Sequence, residues 1–415
     1  MAPLAPTEML KTEDIVVDGM VPIPVSQLDF RSDAEIIAKL NTYQPITSEK
    51  NVWGFWDKGF EHMPAWTKRN VINWVRRLGP TWTVRVVNLA TGSNNNVFQY
   101  IPMSARKEFP PAFNNRKMSG KGAGQHAGDL VRLVVLYHFG GVYMDVGTML
   151  FRTLDDICWS AIEDSRTPYK VAGFALQFRR YFGQMMNNFI ACQKHNPFIR
   201  RWHEIYVKMW GNSTDVTNIH RHPLVRHLGL LRPDDPTFGE NPDYEAFTDY
   251  ASHFLAYERL RLLREPGEKG FDGASYFKEH FFLLDAWPEM YRDQDVIDGE
   301  TMFELLNTVR DTSSNASNRD LQQEAERFVH NLLVHSSVAK FSQGFWQPGM
   351  PLAVTSFWKR AGNEEADSRP GTWGEYLRYV ATHFEQTRDY RQCLVPLVIP
   401  EEMDEIVEVG YLEAL

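Results

Sequence analysis

From Leu130 to Leu136 the chain is apolar at every position except Arg132, and Tyr137 and Phe139 extend the run. A helix that is apolar nearly all round belongs inside a large core and not on a surface. A chain of 415 residues is long enough to build one. Two charges interrupt the pattern, Asp129 and Arg132, three residues apart and so on one helical face. Gly140 and Gly141 end the helix, the first where a left-handed residue closes a helix C-terminus. Val142-Tyr143-Met144 then reads as a short buried strand. It leaves Asp145 at its carboxyl end, where open α/β sheets bind their ligands.

A helical charge pair feeding a strand that ends in a carboxylate suits a metal-diphosphate site. Magnesium and manganese take oxygen ligands, typically one or two carboxylates completed by substrate phosphates. The same spacing also suits an intrahelical ion pair followed by a solubilising aspartate, and spacing alone does not separate the two.

Charge and composition remove other classes. A formal net charge of −9 and a pI near 5.8 exclude a general nucleic-acid-binding role, which needs a basic face. No stretch approaches the roughly 18 apolar residues of a membrane span. Residues 1–11 lack a basic segment followed by an apolar one. Cys158, Cys192 and Cys393 are few and odd in number, the pattern of thiols in a reducing compartment. A cytoplasmic protein without a membrane span is expected.

Along the chain, residues 1–48 form an arm holding a short helix after Ser32. Residues 52–56 read as a strand, 64–78 as a helix opened by Pro64, and 83–88 as a second strand. Strand, helix, strand is the opening of a nucleotide-binding α/β sheet. Residues 102–124 read as a surface segment, with Lys117 and Lys121 solvated. Strands are expected at 171–176 and 187–192, and helices at 197–210, 244–263, 321–333 and 373–388. Residues 211–243 and 264–275 read as loops, 311–318 as a polar loop and 401–408 as an acidic tail. His220, His222 and His227 lack partners at zinc-ligand spacing.

Three blocks carry a resemblance. The segment His126-Ala127-Gly128-Asp129-Leu130-Val131-Arg132, continued by Tyr137-His138-Phe139-Gly140-Gly141-Val142-Tyr143-Met144-Asp145, resembles the sugar-binding DxD region of glycosyltransferases. The likeness is to the capsular-polysaccharide-synthesis type, in its fungal representatives. The blocks 188–203 and 51–59, the latter with Met63-Pro64, resemble the same family, so the similarity runs from about residue 45 to about 345.

The resemblance implies a GT-A-like α/β fold: a Rossmann-like nucleotide-binding sheet with flanking helices and a helical C-terminal part. The glycosyltransferase domain would span 49–345, with 346–415 a helical extension on the same body. It implies transfer of a sugar from a UDP- or GDP-sugar to a small-molecule or cytosolic acceptor, with retention of configuration and help from a divalent cation, manganese or magnesium. Asp129 and Arg132 would hold sugar and ribose hydroxyls, and Asp145 the ribose and the ion. Trp56, beside Phe55, would stack on the base. Tyr143 would lie against the nucleotide, Asn187 and Asn188 would read hydroxyls, His335 would complete the metal shell, and Lys340 would neutralise the diphosphate. The sequence departs from the pattern at one point: Gly147, followed by Thr148, stands where the second acidic residue of the motif belongs. That departure leaves two other readings open, a non-catalytic nucleotide-sugar-binding protein and an enzyme of different chemistry on the same scaffold.

Overall fold

The apolar run is the centre of the molecule. In the computed structural model, which describes residues 10–179, 182–233, 238, 241–294, 296–310, 319–389 and 406–415, it forms the helix Ala123–Phe139. Leu130, Val131, Leu133, Val135 and Leu136 have no exposure at all. Burying each such side chain stabilises the fold by about 1.5–3 kcal/mol. Gly140 ends the helix with φ +66°.

Among the described residues, ten strands follow in chain order: β1 (Met20–Pro22), β2 (Asn51–Phe55), β3 (Thr83–Val87), β4 (Gly141–Met144), β5 (Thr148–Leu150), β6 (Val171–Arg179), β7 (Phe182–Cys192), β8 (Phe281–Asp285), β9 (Val338–Lys340) and β10 (Phe384–Gln386). Six of them make the central sheet in the order β3-β2-β4-β7-β6-β8. β2 runs parallel to β3 and β4, and β6 parallel to β8, while β7 runs antiparallel to both its neighbours. Parallel neighbours need crossovers, and helices supply them. Ala65–Leu78 links β2 to β3, and Ala123–Phe139 precedes β4. β2 and β4 are buried at every residue, as expected of strands covered on both faces. The result is the α/β architecture that the sequence led us to expect.

Close approach at one point explains a glycine. Gly141, at φ +101°, opens β4 so near β2 that a Cβ there would come 2.3 Å from the Asn51 carbonyl oxygen. Only glycine lets the two strands pair at that register.

Two apolar clusters divide the interior. One lies around the central sheet. The other joins β5 and β9 to the helices Gly299–Asn307, Arg319–His335 and Trp373–His383. Two small antiparallel pairs knit distant parts of the chain: β1 with β10, and β5 with β9.

Several local expectations change. The C-terminal helix stops at His383, because residues 384–386 become β10 and pair with β1. Pairing with a distant strand overrides the helical pattern there. Residues 102–124 are not only a surface segment: Phe109 and Phe113 are buried and stack at 4.3 Å. Lys117 and Lys121 are exposed. The segment 244–263 is two helices, Tyr244–Tyr250 and Ser252–Arg261. The helix Gly273–His280 starts inside the stretch read as loop. The polar loop 311–318, Cys393 and most of the acidic tail lie outside the described residues. Among the described residues, no helix is long and apolar enough to cross a membrane.

Candidate active site

Asp145 follows the last residue of β4, and its N–H donates to the Asn188 carbonyl of β7 at 2.9 Å. The chain then turns, Thr148 N–H donating to the Asp145 carbonyl at 2.9 Å, and enters β5. β5 pairs with β9 so that Thr148 lies opposite Lys340. That register brings a residue far along the chain to the carboxylate: Lys340 Nζ lies 2.6 Å from Asp145 Oδ2.

The second element at the site is the central helix. Arg132 points from it toward the sheet end and acts as the hub. Its Nη2 is 3.1 Å from Asp129 Oδ1 and 3.4 Å from Asp145 Oδ1. Its Nη1 donates to the Asn187 carbonyl, and its guanidinium lies 4.7 Å from the centre of the Tyr143 ring. Asp129 is further held by His126 Nδ1 at 3.2 Å and by the Asn187 amide at 3.0 Å. Asp129, Arg132 and His126 are all buried, whereas the Asp145 side chain keeps 28% of its exposure. Of these four, Asp145 is the most open to a ligand.

Charge and burial set the protonation states. Burial works against the Asp129 carboxylate, but Arg132 and His126 outweigh it and hold the group far below the usual carboxylate range. Burial likewise pushes the Tyr143 and Tyr250 phenols up, so both are neutral donors. His253 is pushed down to about 3, by burial first and by Arg132 among its neighbours, against the pull of Asp129. Its Nδ1 lies 3.2 Å from the Asn187 amide nitrogen and accepts from it, as a neutral ring can.

Asp129, Arg132, Tyr143, Asp145, Asn187, Tyr250 and Lys340 line a cleft of about 600 Å³, with His126 and His253 behind them. Its polar end holds Asp129, Arg132, Asp145, Asn187 and Lys340. Another wall is aromatic: Phe238, Phe247, Tyr250 and Phe345 line the cleft, with ring centres 4.8–6.4 Å apart. Trp287, Met350 and Leu352 also face it. A mostly apolar cleft with a few converging polar groups is the usual form of a small-molecule site.

The other expected residues are placed as follows. Phe55 and Trp56 line the cleft beside Asp57, and the Trp56 indole Nε1 has no hydrogen-bond partner among the described residues. Asn188 lines it too, but the residue is 1% exposed and its amide donates to the Met290 sulfur at 3.1 Å. His335 is not brought to the cleft. It ends the helix Arg319–His335 with an exposed side chain, and its carbonyl accepts from Arg292. Sequence reasoning passed over His126, His253 and Ser342. His126 was legible, three residues before Asp129 on one helical face. His253 lies in a long helical segment with no local signal.

A divalent ion fits this donor set poorly. Among the described residues, no group of three or more His, Cys, Asp and Glu side chains is placed to hold an ion, so an ion here would depend on substrate phosphates. The carboxylate best placed for an ion, Asp145, already has a cation on each oxygen. A doubly charged ion about 4 Å from an ammonium is repelled by about 8 kcal/mol at an effective dielectric of about 20. A second acidic ligand at position 147 would crowd its neighbours. A Cβ on Gly147 would stand 2.4 Å from Ser342 Oγ and 3.3 Å from the Trp66 ring.

Comparison with known proteins places this cleft in context. Residues 28–221 match the family described as capsular polysaccharide synthesis protein. Over 406 residues the chain is 42% identical to the O-glycosyltransferase braB of Annulohypoxylon truncatum, covering 96% of this chain and 94% of that one. It is 40% identical over 400 residues to the glycosyltransferase afumC of Aspergillus fumigatus, covering 95% and 99%. The O-glycosyltransferase PaGT of Phomopsis amygdali is 35% identical, with 89% of this chain and 91% of that one covered. Among solved structures, the PaToxG glycosyltransferase overlaps 55% of this chain and 85% of its own at 16% identity, with a TM-score of 0.30, too small an overlap to relate the two in detail.

Proposed function

The chain belongs to the capsular-polysaccharide-synthesis family of glycosyltransferases, and from that premise we propose that it moves one sugar from a UDP- or GDP-sugar to a hydroxyl of an apolar small molecule. The observation that carries the reading is the division of the cleft. Its polar end gathers Arg132, Asp145 and Lys340 at the carboxyl end of β4, and an aromatic wall faces the same space. The polar end suits a sugar diphosphate, with Lys340 and Arg132 as the cations and Asp129 and Asn187 as hydroxyl partners. Trp56 offers a face for the base. The aromatic wall suits an acceptor with a large apolar body. The O-glycosyltransferase names of two relatives support transfer to oxygen.

The chemistry asks little covalent work of the protein. Holding donor and acceptor in line, and stabilising the charge that develops on the departing diphosphate, supply most of the acceleration. Retention of the anomeric configuration is part of the proposal on the strength of the resemblance, and proton NMR of the product reads it directly. Cytoplasmic action fits the buried, unbridged Cys158 and Cys192.

The test is a thermal-shift screen of the full chain against UDP, GDP and their sugars, because a ligand that binds the native state raises its melting temperature by mass action. Donors that shift it are then incubated with apolar alcohols, and products are read by mass spectrometry as the addition of one sugar. A shift of several degrees with one nucleotide series, and a glycosylated product, are expected. Binding without transfer or hydrolysis would instead favour the non-catalytic reading, and no binding at all would favour different chemistry.

A further inference from the structure

The disagreement between the acidic motif and the polar end of the cleft has a chemical consequence. Resting on the reading of this chain as a glycosyltransferase, we infer that Lys340 supplies the positive charge that a divalent ion would supply at such a site, so that transfer runs without metal.

Four observations converge. Lys340 Nζ lies 2.6 Å from Asp145 Oδ2, with Arg132 on the other oxygen at 3.4 Å. Each oxygen of the carboxylate that an ion would use therefore already has a cation against it. The lysine is positioned by pairing: the β5–β9 register sets Lys340 opposite Thr148, three residues beyond Asp145. Gln294 donates to the Lys340 carbonyl at 3.2 Å and pins the main chain. Finally, Gly147 removes the second acidic ligand, and a Cβ at that position would crowd Ser342 Oγ at 2.4 Å and the Trp66 ring at 3.3 Å.

The charges are balanced for exchange. Arg132 and Lys340 face Asp129 and Asp145, two cations against two carboxylates. A diphosphate entering beside Asp145 offers the ammonium a second, stronger anion. Lys340 has three donors on a flexible stem, so it can bond Asp145 and a phosphate oxygen together. Asp145 then keeps the ammonium aimed while the sugar leaves. In that step the bond from the anomeric carbon to the diphosphate oxygen breaks with its electron pair going to the diphosphate. The acceptor oxygen bonds the anomeric carbon, and the acceptor's hydroxyl proton departs with the nucleoside diphosphate. Positive charge is needed only where the electron pair arrives, and the ammonium carries it there.

The experiment compares the full-length protein with Lys340→Ala and Lys340→Arg, each with excess EDTA and with manganese. UDP and GDP binding is read by thermal shift, and transfer from the donor found in the screen is read by steady-state kinetics. The parental protein should bind its nucleoside diphosphate in EDTA and keep transfer rates within about twofold of those in manganese. Lys340→Ala should unfold at nearly the parental temperature yet lose kcat by about 100-fold or more, the usual cost of one oxyanion donor. Its donor KM should change less. Lys340→Arg should recover part of the kcat, which a purely structural lysine would not show. Parental transfer that needs manganese and vanishes in EDTA overturns the inference and leaves glycosyl transfer standing. Lys340→Ala with parental kcat in EDTA also overturns it. A parental protein that neither binds these nucleotides nor transfers sugar in either condition overturns the reading of function itself, and the inference with it.

Discussion

Asn187 donates its amide N–H to Asp129 at 3.0 Å while its main-chain carbonyl accepts from Arg132. One residue of β7 thus fixes both members of the helical charge pair, and a sheet strand sets the rotamers of a helix. Removing one partner of a buried, charged hydrogen bond costs about 1–3 kcal/mol. Asn187→Ala should lower stability by that amount in chemical denaturation and weaken donor binding about tenfold or more in titrations with nucleoside diphosphate. Asn187→Asp would set a carboxylate against Asp129 and should be worse on both counts.

Asp145→Asn keeps the size of the side chain and removes its charge. The ion pairs it leaves are partly exposed, and such pairs contribute about 0–1 kcal/mol. Thermal unfolding should move little, while kcat for transfer falls by about 100-fold. Transfer at the parental rate would remove Asp145 from the site.

Restoring the acidic motif should not restore metal binding. Gly147→Asp must displace Ser342 and press on Trp66, and overpacking of this kind costs about 1–3 kcal/mol. The variant should melt earlier than the parent and show no tight manganese binding by calorimetry. Adding Ser342→Gly should recover part of the lost stability.

Acid should loosen the polar end through His253. Burial holds its folded-state pKa near 3, below the value of about 6.5 for the unfolded chain. The unfolded chain therefore takes up a proton that the folded one refuses. The stability from this group is complete above about pH 6.5 and is lost as pH falls from there toward 3, at up to about 1.4 kcal/mol per pH unit. Urea unfolding at pH 7.5, 6 and 5 should show the decline, and His253→Gln should flatten it. Asp129, whose folded-state pKa is depressed, acts in the same direction at lower pH: its contribution is present above about pH 4 and fades below.

Cys158 and Cys192 are buried, and burial pushes both thiols up. Neither should react with Ellman's reagent in the native protein, and both should react in guanidinium. Rapid native labelling of either would contradict the core described here.

The sequence showed those parts of the site that one stretch contains. The helix Ala123–Phe139, its glycine stop, β4 and Asp145 all follow from local pattern, and the structure has them where the pattern predicts. Lys340 and His335 show where local reading ends. They are five residues apart after one helix, and the sequence offered both to the cleft. The structure brings only Lys340, because β9 is a three-residue strand defined by pairing with β5. No periodicity survives in three residues. β8 is a different case: Phe281-Phe282-Leu283-Leu284 is an apolar run of strand length and is legible from the residues themselves. The aromatic wall was also hidden, since Phe238, Tyr250 and Phe345 come from segments that meet only in the fold.

The pairing of Asp145 with Lys340 also sets an order of events during synthesis. The two residues are 195 positions apart, and at about 5–20 residues per second the ribosome needs about 10–40 s to go from one to the other. β10, which closes on β1, leaves the ribosome later still. During that interval the nascent chain carries Asp145 without its lysine, and the strand that will hold β9 stands open. The polar end of the cleft therefore cannot assemble until β9 has been made and has paired with β5.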